Sequence, residues 1–289
     1  MKSKLRNSLE TIRKNMESLD GDLELTVSVC YEENQMVFLL FCKNVLSYYV
    51  SLQIKNNVCY FDKLDSTGFL NGVGKCFMKA VLSIVKSKII CCFSHPKPAY
   101  VFLNTNKNVL RPSALANFWI EVFSNKSRKI HVWSNNFSEL QEKHSFIEKG
   151  YPFETIEDLE YFEDDPKTRI KENLEQTDIK KLFTTLLCRK DFIEGSLIYA
   201  TTNESDTTLQ IEYNETGYPI TDYLVSLDLS TPEKLLKESQ IFLEKFKLEK
   251  TTFKIKKRAK IIKKEEPKII LTAKRRSDNN LNNKNKIRK

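Results

Sequence analysis

Four β-rich runs follow one another early in the chain, Leu23 to Tyr31, Gln35 to Lys43, Leu46 to Ile54 and Val58 to Lys63, with only short polar links between them. Links that short leave no room for a crossover, so the runs read as antiparallel neighbours in one sheet. Everything else must be built onto that sheet. An amphipathic helix precedes it, with Leu5, Leu9, Ile12, Met16 and Leu19 at helical spacing and an end near Asp20-Gly21. After it come a turn at Asp65-Ser66-Thr67-Gly68, an apolar helix from Gly72-Val73-Gly74-Lys75 to about Lys88, and a buried strand over Ile89 to Phe93. A Pro- and Asn-rich loop over 94–112 leads to a helix that Ser113 can cap, carrying Leu115, Phe118, Trp119 and Val122. Then follow a strand at Lys129 to Trp133, a helix from Phe137 to Lys149 stopped by Gly150, and a long acidic and aromatic connection from Tyr151 to Pro166. Beyond lie a helix around Asp178 to Phe192, strands at Ser196 to Thr202 and Thr208 to Tyr213, and a helix opened by Thr231-Pro232-Glu233. This order predicts a mixed α/β fold: a central mixed, largely antiparallel sheet flanked by helices, rather than a doubly wound parallel one.

Charge divides the chain where periodicity does not. Residues 251–289 hold 15 Lys and Arg against three acids (Glu265, Glu266 and Asp278), while the first 250 residues hold 32 basic against 35 acidic side chains. The net charge of +9 therefore belongs to a basic arm on a slightly acidic body. A compact single domain over 1–250 and a basic, largely disordered tail over 251–289 are expected. Such an arm suits nucleic acid, the acidic face of a chaperone or an import receptor, and it also suits plain solubility. Seven cysteines, an odd number without C-x-x-C, sit mostly in apolar runs and read as buried free thiols of a reducing compartment. Three histidines give no metal-ligand spacing, no apolar stretch has the length of a membrane span, and the leading residues are too charged for a signal peptide.

Three constellations carry possible chemistry. Asp164-Asp165-Pro166-Lys167-Thr168-Arg169 sets two carboxylates beside two cations, a group easy to leave in water and costly to bury. Gly68, Gly72 and Gly74 are three of only seven glycines and mark a strand-to-helix junction where backbone N–H groups can approach a phosphate. Alone, that triplet fits a structural turn as well as a pyrophosphate site. The stretch from Phe93 through His95, Pro96, Ala99, Tyr100 and Phe102 follows a strand end, with Lys107 in the same loop and Trp119 one helix later. Its aromatics could line an acyl or pantetheine channel while Lys107 meets a phosphate; an ordinary core would also use them.

Taken in order, these blocks resemble the fungal regulator-of-Ty-transposition family of histone H3 lysine acetyltransferases, which share a fold with the CBP-type acetyltransferases. Lys63-Leu64-Asp65-Ser66-Thr67-Gly68 is similar to the family's S-K-A-D-T-x-G. Phe93-Ser94-His95-Pro96 through Tyr100 and Phe102 to Phe118-Trp119 is similar to F-x-R-P-A-x-x-Y-L-F and the later L-x-x-W-W. Tyr151-Pro152-Phe153 leading to Asp164-Asp165-Pro166-Lys167-Thr168-Arg169 is similar to K-Y-P-L-W and D-D-P-K-A-R-F, and Arg189-Lys190-Asp191-Phe192 to R-Q-E-F. The match spans residues 35–203. His95 stands where the family has arginine, Asn108 where it has histidine and Phe118 where it has the first of two tryptophans.

The resemblance implies an acetyl-CoA-dependent enzyme without a metal that acetylates histone H3 in H3–H4, with direct transfer to the lysine amine. It implies Asp165 as the catalytic carboxylate, Asp164 as its neighbour, Asp65 as a further acid needed for activity and Trp119 as a wall of the acetyl and lysine channel. Phe93, His95, Pro96, Ala99 and Tyr100 would hold pantetheine, the Gly72, Val73, Gly74 and Lys75 backbone the pyrophosphate, and Lys107 the ribose phosphate. Lys167 matches the family's buried, autoacetylated lysine. The implied setting is nuclear, with histone chaperones of the nucleosome-assembly and anti-silencing types as partners, no membrane, and DNA or chaperone contact by the tail. The alternatives are an inactive acetyltransferase-fold protein that binds histone or chaperone, and a nucleic-acid-binding protein that uses the tail.

Overall fold

The computed structural model describes residues 2–17, 22–32, 35–70, 72–85, 87–96, 110–124, 128–162, 165–171, 178–202, 220–246, 248 and 250–255. The four expected runs are strands β1 (Leu23–Glu32), β2 (Gln35–Cys42), β3 (Val45–Lys55) and β4 (Val58–Ser66), each antiparallel to the next. Two of the links are two-residue turns, Lys43-Asn44 and Asn56-Asn57, with φ between +44° and +65° at all four positions. That left-handed pair matches the right-handed twist of the strands it joins, and asparagine tolerates it better than most residues.

The remaining strands are β5 (Ile89–Ser94), β6 (Arg128–Ser134), β7 (Glu148–Lys149), β8 (Ser196–Thr202) and β9 (Lys250–Ile255), and the nine form one sheet in the order β7-β6-β8-β5-β4-β3-β2-β1-β9. β5 is parallel to β4, and β8 lies antiparallel between β5 and β6, so β4, β5 and β6 all run the same way. Helices α1 (Lys2–Met16), α2 (Gly74–Leu82), α3 (Pro112–Phe123) and α4 (Phe137–Lys143) contribute to one core, with Phe38, Leu40, Phe61, Cys92 and Ile198 of the sheet. The opposite face carries two separate cores. One joins Tyr60, Cys91 and Tyr199 to the connection over 151–162, α5 (Pro166–Lys171), α6 (Ile179–Cys188) and the 3-10 turn Lys190–Phe192. The other packs α7 (Ile220–Ser226) and α8 (Pro232–Lys245) on Val37, Leu39, Phe41 and Tyr49. The mixed, largely antiparallel sheet flanked by helices is thus as expected.

Several local expectations change. Asp65 and Ser66 belong to β4, paired with Tyr49 and Tyr48, rather than to a turn. Pro112, whose fixed φ suits a first helical position, starts α3 one residue before the expected cap, with Arg111 rather than Ser113 at the N-cap. α4 ends at Lys143, because His144 leaves helical geometry (φ −133°, ψ 79°), and Glu148–Lys149 pairs with β6. Thr231 does cap α8, accepting from the Lys234 N–H at 3.3 Å. The domain boundary expected at 250 cuts β9 and is corrected: Lys250–Ile255 pairs with β1, burying Phe253 and Ile255, and the compact unit runs to Lys257. The expected strand at 208–213 and the basic segment beyond 255 lie outside the described residues, among which no helix is long and apolar enough to cross a membrane. Of the seven cysteines, all free, Cys188 is exposed and Cys76 half-buried; the other five are buried.

Candidate functional site

The carboxyl ends of β4, β5 and β6 share one edge of the sheet, and each strand there feeds a helix, α2, α3 or α4, on the same face. Open α/β sheets place ligands at such an edge, where successive helix N-termini also gather. The first two sequence blocks meet there. Asp65, 5% exposed, sits one residue from the end of β4 and takes the Ser66 N–H on Oδ1 at 2.7 Å. Gly68 follows with φ +79°, its N–H held by Ser66 Oγ at 3.1 Å. At the end of β5, Phe93 and His95 are buried on the side away from α3, their rings stacked 5.5 Å apart, and Phe192 packs on Phe93 at 5.1 Å. Pro96 is half-buried. Ala99, Tyr100, Lys107 and Asn108 lie outside the described residues, as does Asp164.

Asp165 and Lys167 form a buried ion pair. Asp165, fully buried, caps α5: Oδ1 accepts the Lys167 N–H at 2.9 Å, and Pro166 occupies the first helical position. Its Oδ2 forms an ion pair with the Lys167 ammonium, itself 1% exposed. Lys167 Nζ also stands 5.7 Å from the centre of the Tyr199 ring. Thr168 Oγ1 donates to the Phe162 carbonyl at 2.6 Å, and Phe162 stacks on Tyr60 at 5.1 Å, which fixes the turn to the sheet. Tyr199 OH is buried without a hydrogen-bond partner among the described residues, and burial, reinforced by the Asp165 charge, pushes its pKa well up. Burial likewise pushes the Cys91 thiol up to about 12, with Lys167 pulling the other way. Nothing in the sequence singles out Tyr199 or Cys91. The apolar, evenly patterned strands that carry them give no local sign of an ionic neighbour.

Among the described residues, Trp119 and the Asp165–Lys167 pair lie on opposite faces of the sheet. Trp119, 4% exposed, lies on the α1–α4 side among Phe61, Phe118 and Phe123, its ring 5.6 Å from Phe61, whereas Asp165 and Lys167 lie across the sheet. The reason is strand parity: Phe61 and Tyr60 are consecutive in β4 and face opposite ways. Gly74 also has a packing task. A Cβ on Gly74 would meet Tyr48 Cε1 at 2.6 Å, so only glycine fits at the start of α2 against that ring. Burial raises the Tyr48 pKa, its polar neighbours Gly74, Ser66 and Val73 oppose the shift, and the ring lies against the start of α2. Lys75 is ion-paired with Glu121 of α3. The cleft of about 520 Å³ that Gly72 and Lys75 border opens between α1 and α2 beside Asn15 and Ser83 and takes in neither Phe93 nor His95. Among the described residues no group of three His, Cys, Asp or Glu could hold a metal ion. No protein-family model matches the chain, and no curated protein matches it significantly.

Proposed function

We propose that the protein is an acetyl-CoA-dependent lysine acetyltransferase acting on histone H3, with autoacetylation of Lys167. The observation that carries this reading is the buried Asp165–Lys167 pair within the family-like D-D-P-K-x-R segment. A charged lysine in an apolar interior is costly to keep, and acetylation removes that charge while leaving a hydrogen-bonding amide. The reaction needs a neutral amine: a carboxylate takes the ammonium proton, the amine nitrogen attacks the thioester carbon, the C–S bond breaks, and CoA leaves as the thiolate, which takes up the second proton that the nitrogen sheds as it becomes an amide. Asp165 is placed to take that proton from Lys167 itself. For an incoming histone lysine the better placed acid is Asp65, at the edge where β4 and β5 end. The basic arm suits an acidic chaperone or nuclear import.

A second reading, an acetyltransferase-like binding protein without turnover, draws on the double use of Asp165 as helix cap and ion-pair partner. Incubation with acetyl-CoA followed by peptide mass spectrometry tests the first reading, which expects acetyl on Lys167, its loss in Asp165→Asn, and loss of histone acetylation in Asp65→Asn. An unmodified Lys167 together with wild-type histone acetylation in both variants would remove the site assignment. Absence of any calorimetric signal with acetyl-CoA would remove the enzyme.

A further inference from the structure

The cleft between α1 and α2 borders neither Asp65 nor the Asp165–Lys167 pair, and its lining has a chemistry of its own. One face of α2 supplies Lys75, Cys76, Lys79 and Ala80, Ser83 follows just past the helix end, and Asn15 closes the cleft from α1 around a volume of about 520 Å³. Cys76, Lys79, Ala80 and Ser83 recur at three and four residues, which stacks them on one side while Phe77, Met78 and Val81 turn into the core. Cys76 is half-buried, and its Sγ donates to the Asn15 carbonyl at 3.8 Å. Asn15 Nδ2 donates to Ser83 Oγ at 2.7 Å, so α1 is fastened to this face at two points. The two lysines differ. Lys75 is committed to Glu121 of α3, whereas Lys79 has neither an ion pair nor a hydrogen bond from its side chain among the described residues. A thiol and an unengaged amine thus share one cleft from positions one turn apart, where Cβ atoms stand about 5–6 Å from each other.

We propose that Lys79 is an acylation site served by Cys76, which relays the acyl group of a small thioester admitted to this cleft. The reaction uses neither Asp65 nor Asp165 and so stands apart from the acetyltransferase reading. In its first step the Cys76 thiolate adds to the thioester carbonyl, the donor's C–S bond breaks, and the donor leaves as its own thiolate. In the second the Lys79 amine, having given its ammonium proton to water, attacks the carbonyl now on Cys76. The C–S bond to Cys76 breaks, the nitrogen sheds its second proton to water as it becomes an amide, and Cys76 returns as the thiolate. Nothing is oxidised or reduced. Three features select this chemistry. A thiolate exchanges with a thioester at little cost, whereas a lysine ammonium has no electron pair with which to attack one. An acyl group held one helical turn from the amine reacts within the molecule rather than by collision. Gly72 and Ala80 add little bulk to the wall, and the described residues that line the cleft include no carboxylate to bind the Lys79 ammonium. The product replaces one of the cleft's two cations with a neutral amide.

Peptide mass spectrometry of the full chain during incubation with acetyl-CoA tests the relay. The wild type is expected to gain acetyl on Lys79 faster than on Lys237, an exposed lysine of α8 that serves as the background. Cys76→Ser, which keeps the size of the side chain but offers no thiolate, should acetylate Lys79 at least roughly tenfold more slowly, the loss of an intramolecular step. Lys79→Arg blocks the second step and should accumulate acetyl on Cys76, recognised by its release with neutral hydroxylamine. An unmodified Lys79 in the wild type, a rate no greater than that of Lys237, or a wild-type rate in Cys76→Ser would each overturn the proposal. If Cys76→Ser shows no thermal midpoint and so does not fold, Cys76→Ala replaces it with the same two outcomes. The same digest reports Lys167, whose acetyl should be lost in Asp165→Asn and kept in Cys76→Ser, the reverse of Lys79, so the two readings fail separately. Loss of Lys79 acetylation in a folded Asp165→Asn would also overturn the relay.

Discussion

The two faces of the sheet solve burial differently. Under α1 to α4 one continuous core of aliphatic and aromatic side chains spans the sheet, and Trp119 sits in it as an ordinary large hydrophobe. On the other face the apolar surface divides into two cores, and the one beneath the 151–162 connection encloses Asp165 and Lys167. A face that tolerates a hole tolerates it by degrees. A face that encloses a charge pair fails abruptly when one partner goes.

The largest expected effect breaks that pair. Asp165→Ala leaves the Lys167 ammonium uncompensated and should cost about 3–5 kcal/mol in urea unfolding, whereas Asp165→Asn combined with Lys167→Met, which keeps a cap and removes both charges, should recover most of it. Equal losses in the two variants would mean that an uncompensated charge is not what makes Asp165→Ala costly. On the opposite face Trp119→Ala should cost a similar 3–5 kcal/mol, roughly, through a cavity, but Trp119→Phe should keep both stability and Lys167 acetylation, since Trp119 is across the sheet from the ion pair. Loss of acetylation in a stably folded Trp119→Phe would place that side chain in the reaction after all. Gly74→Ala should cost about 1–3 kcal/mol by overpacking Tyr48, and pairing it with Tyr48→Ala should relieve the clash, a double-variant comparison that isolates it.

The smallest effect is a pH dependence. Burial lowers the His131 pKa, Glu148 at 3.6 Å opposes the shift and Lys129 adds to it. The folded state therefore binds its proton less readily than the unfolded chain. Its contribution to stability is whole above the ordinary histidine pKa of about 6.5 and is lost as the pH falls below it. The thermal midpoint should drop more steeply below that pH in the wild type than in His131→Gln; parallel curves would assign the drop to other groups.

The meander is legible because each run is rich in strand formers and Asn56-Asn57 and Asn44 suit left-handed turns. The start of α8 is legible because cap, proline and acid act within one turn. Expectations fail where local pattern and tertiary contact part company. Ile147 falls at helical spacing from Leu140 and His144 and is buried, yet it reaches the core from a turn, its N–H on the His144 carbonyl at 3.1 Å. Thr251–Ile255 reads as part of the basic arm because the arm's charge outweighs a short alternation of buried Phe253 and Ile255 with the more exposed Thr252 and Lys254. At the site, Asp165 and Lys167 stand out in the sequence as an anomaly. Their confinement opposite Trp119 does not, because the sheet face a side chain takes depends on bulges such as those at Leu40/Phe41 and Ser51/Leu52, which shift parity without a sequence mark.

The pairing of β1 with β9 joins residues 23–28 to residues 250–255. Synthesis proceeds from the N-terminus, so β1 emerges long before the strand that covers its outer edge. Through most of translation its unpaired N–H and C=O groups are a template for any other extended chain. Its final neighbour closes one of the longest loops the molecule contains, a slow step on topological grounds. A chain cut before Lys250 would keep that edge open permanently, and self-association would be its characteristic defect.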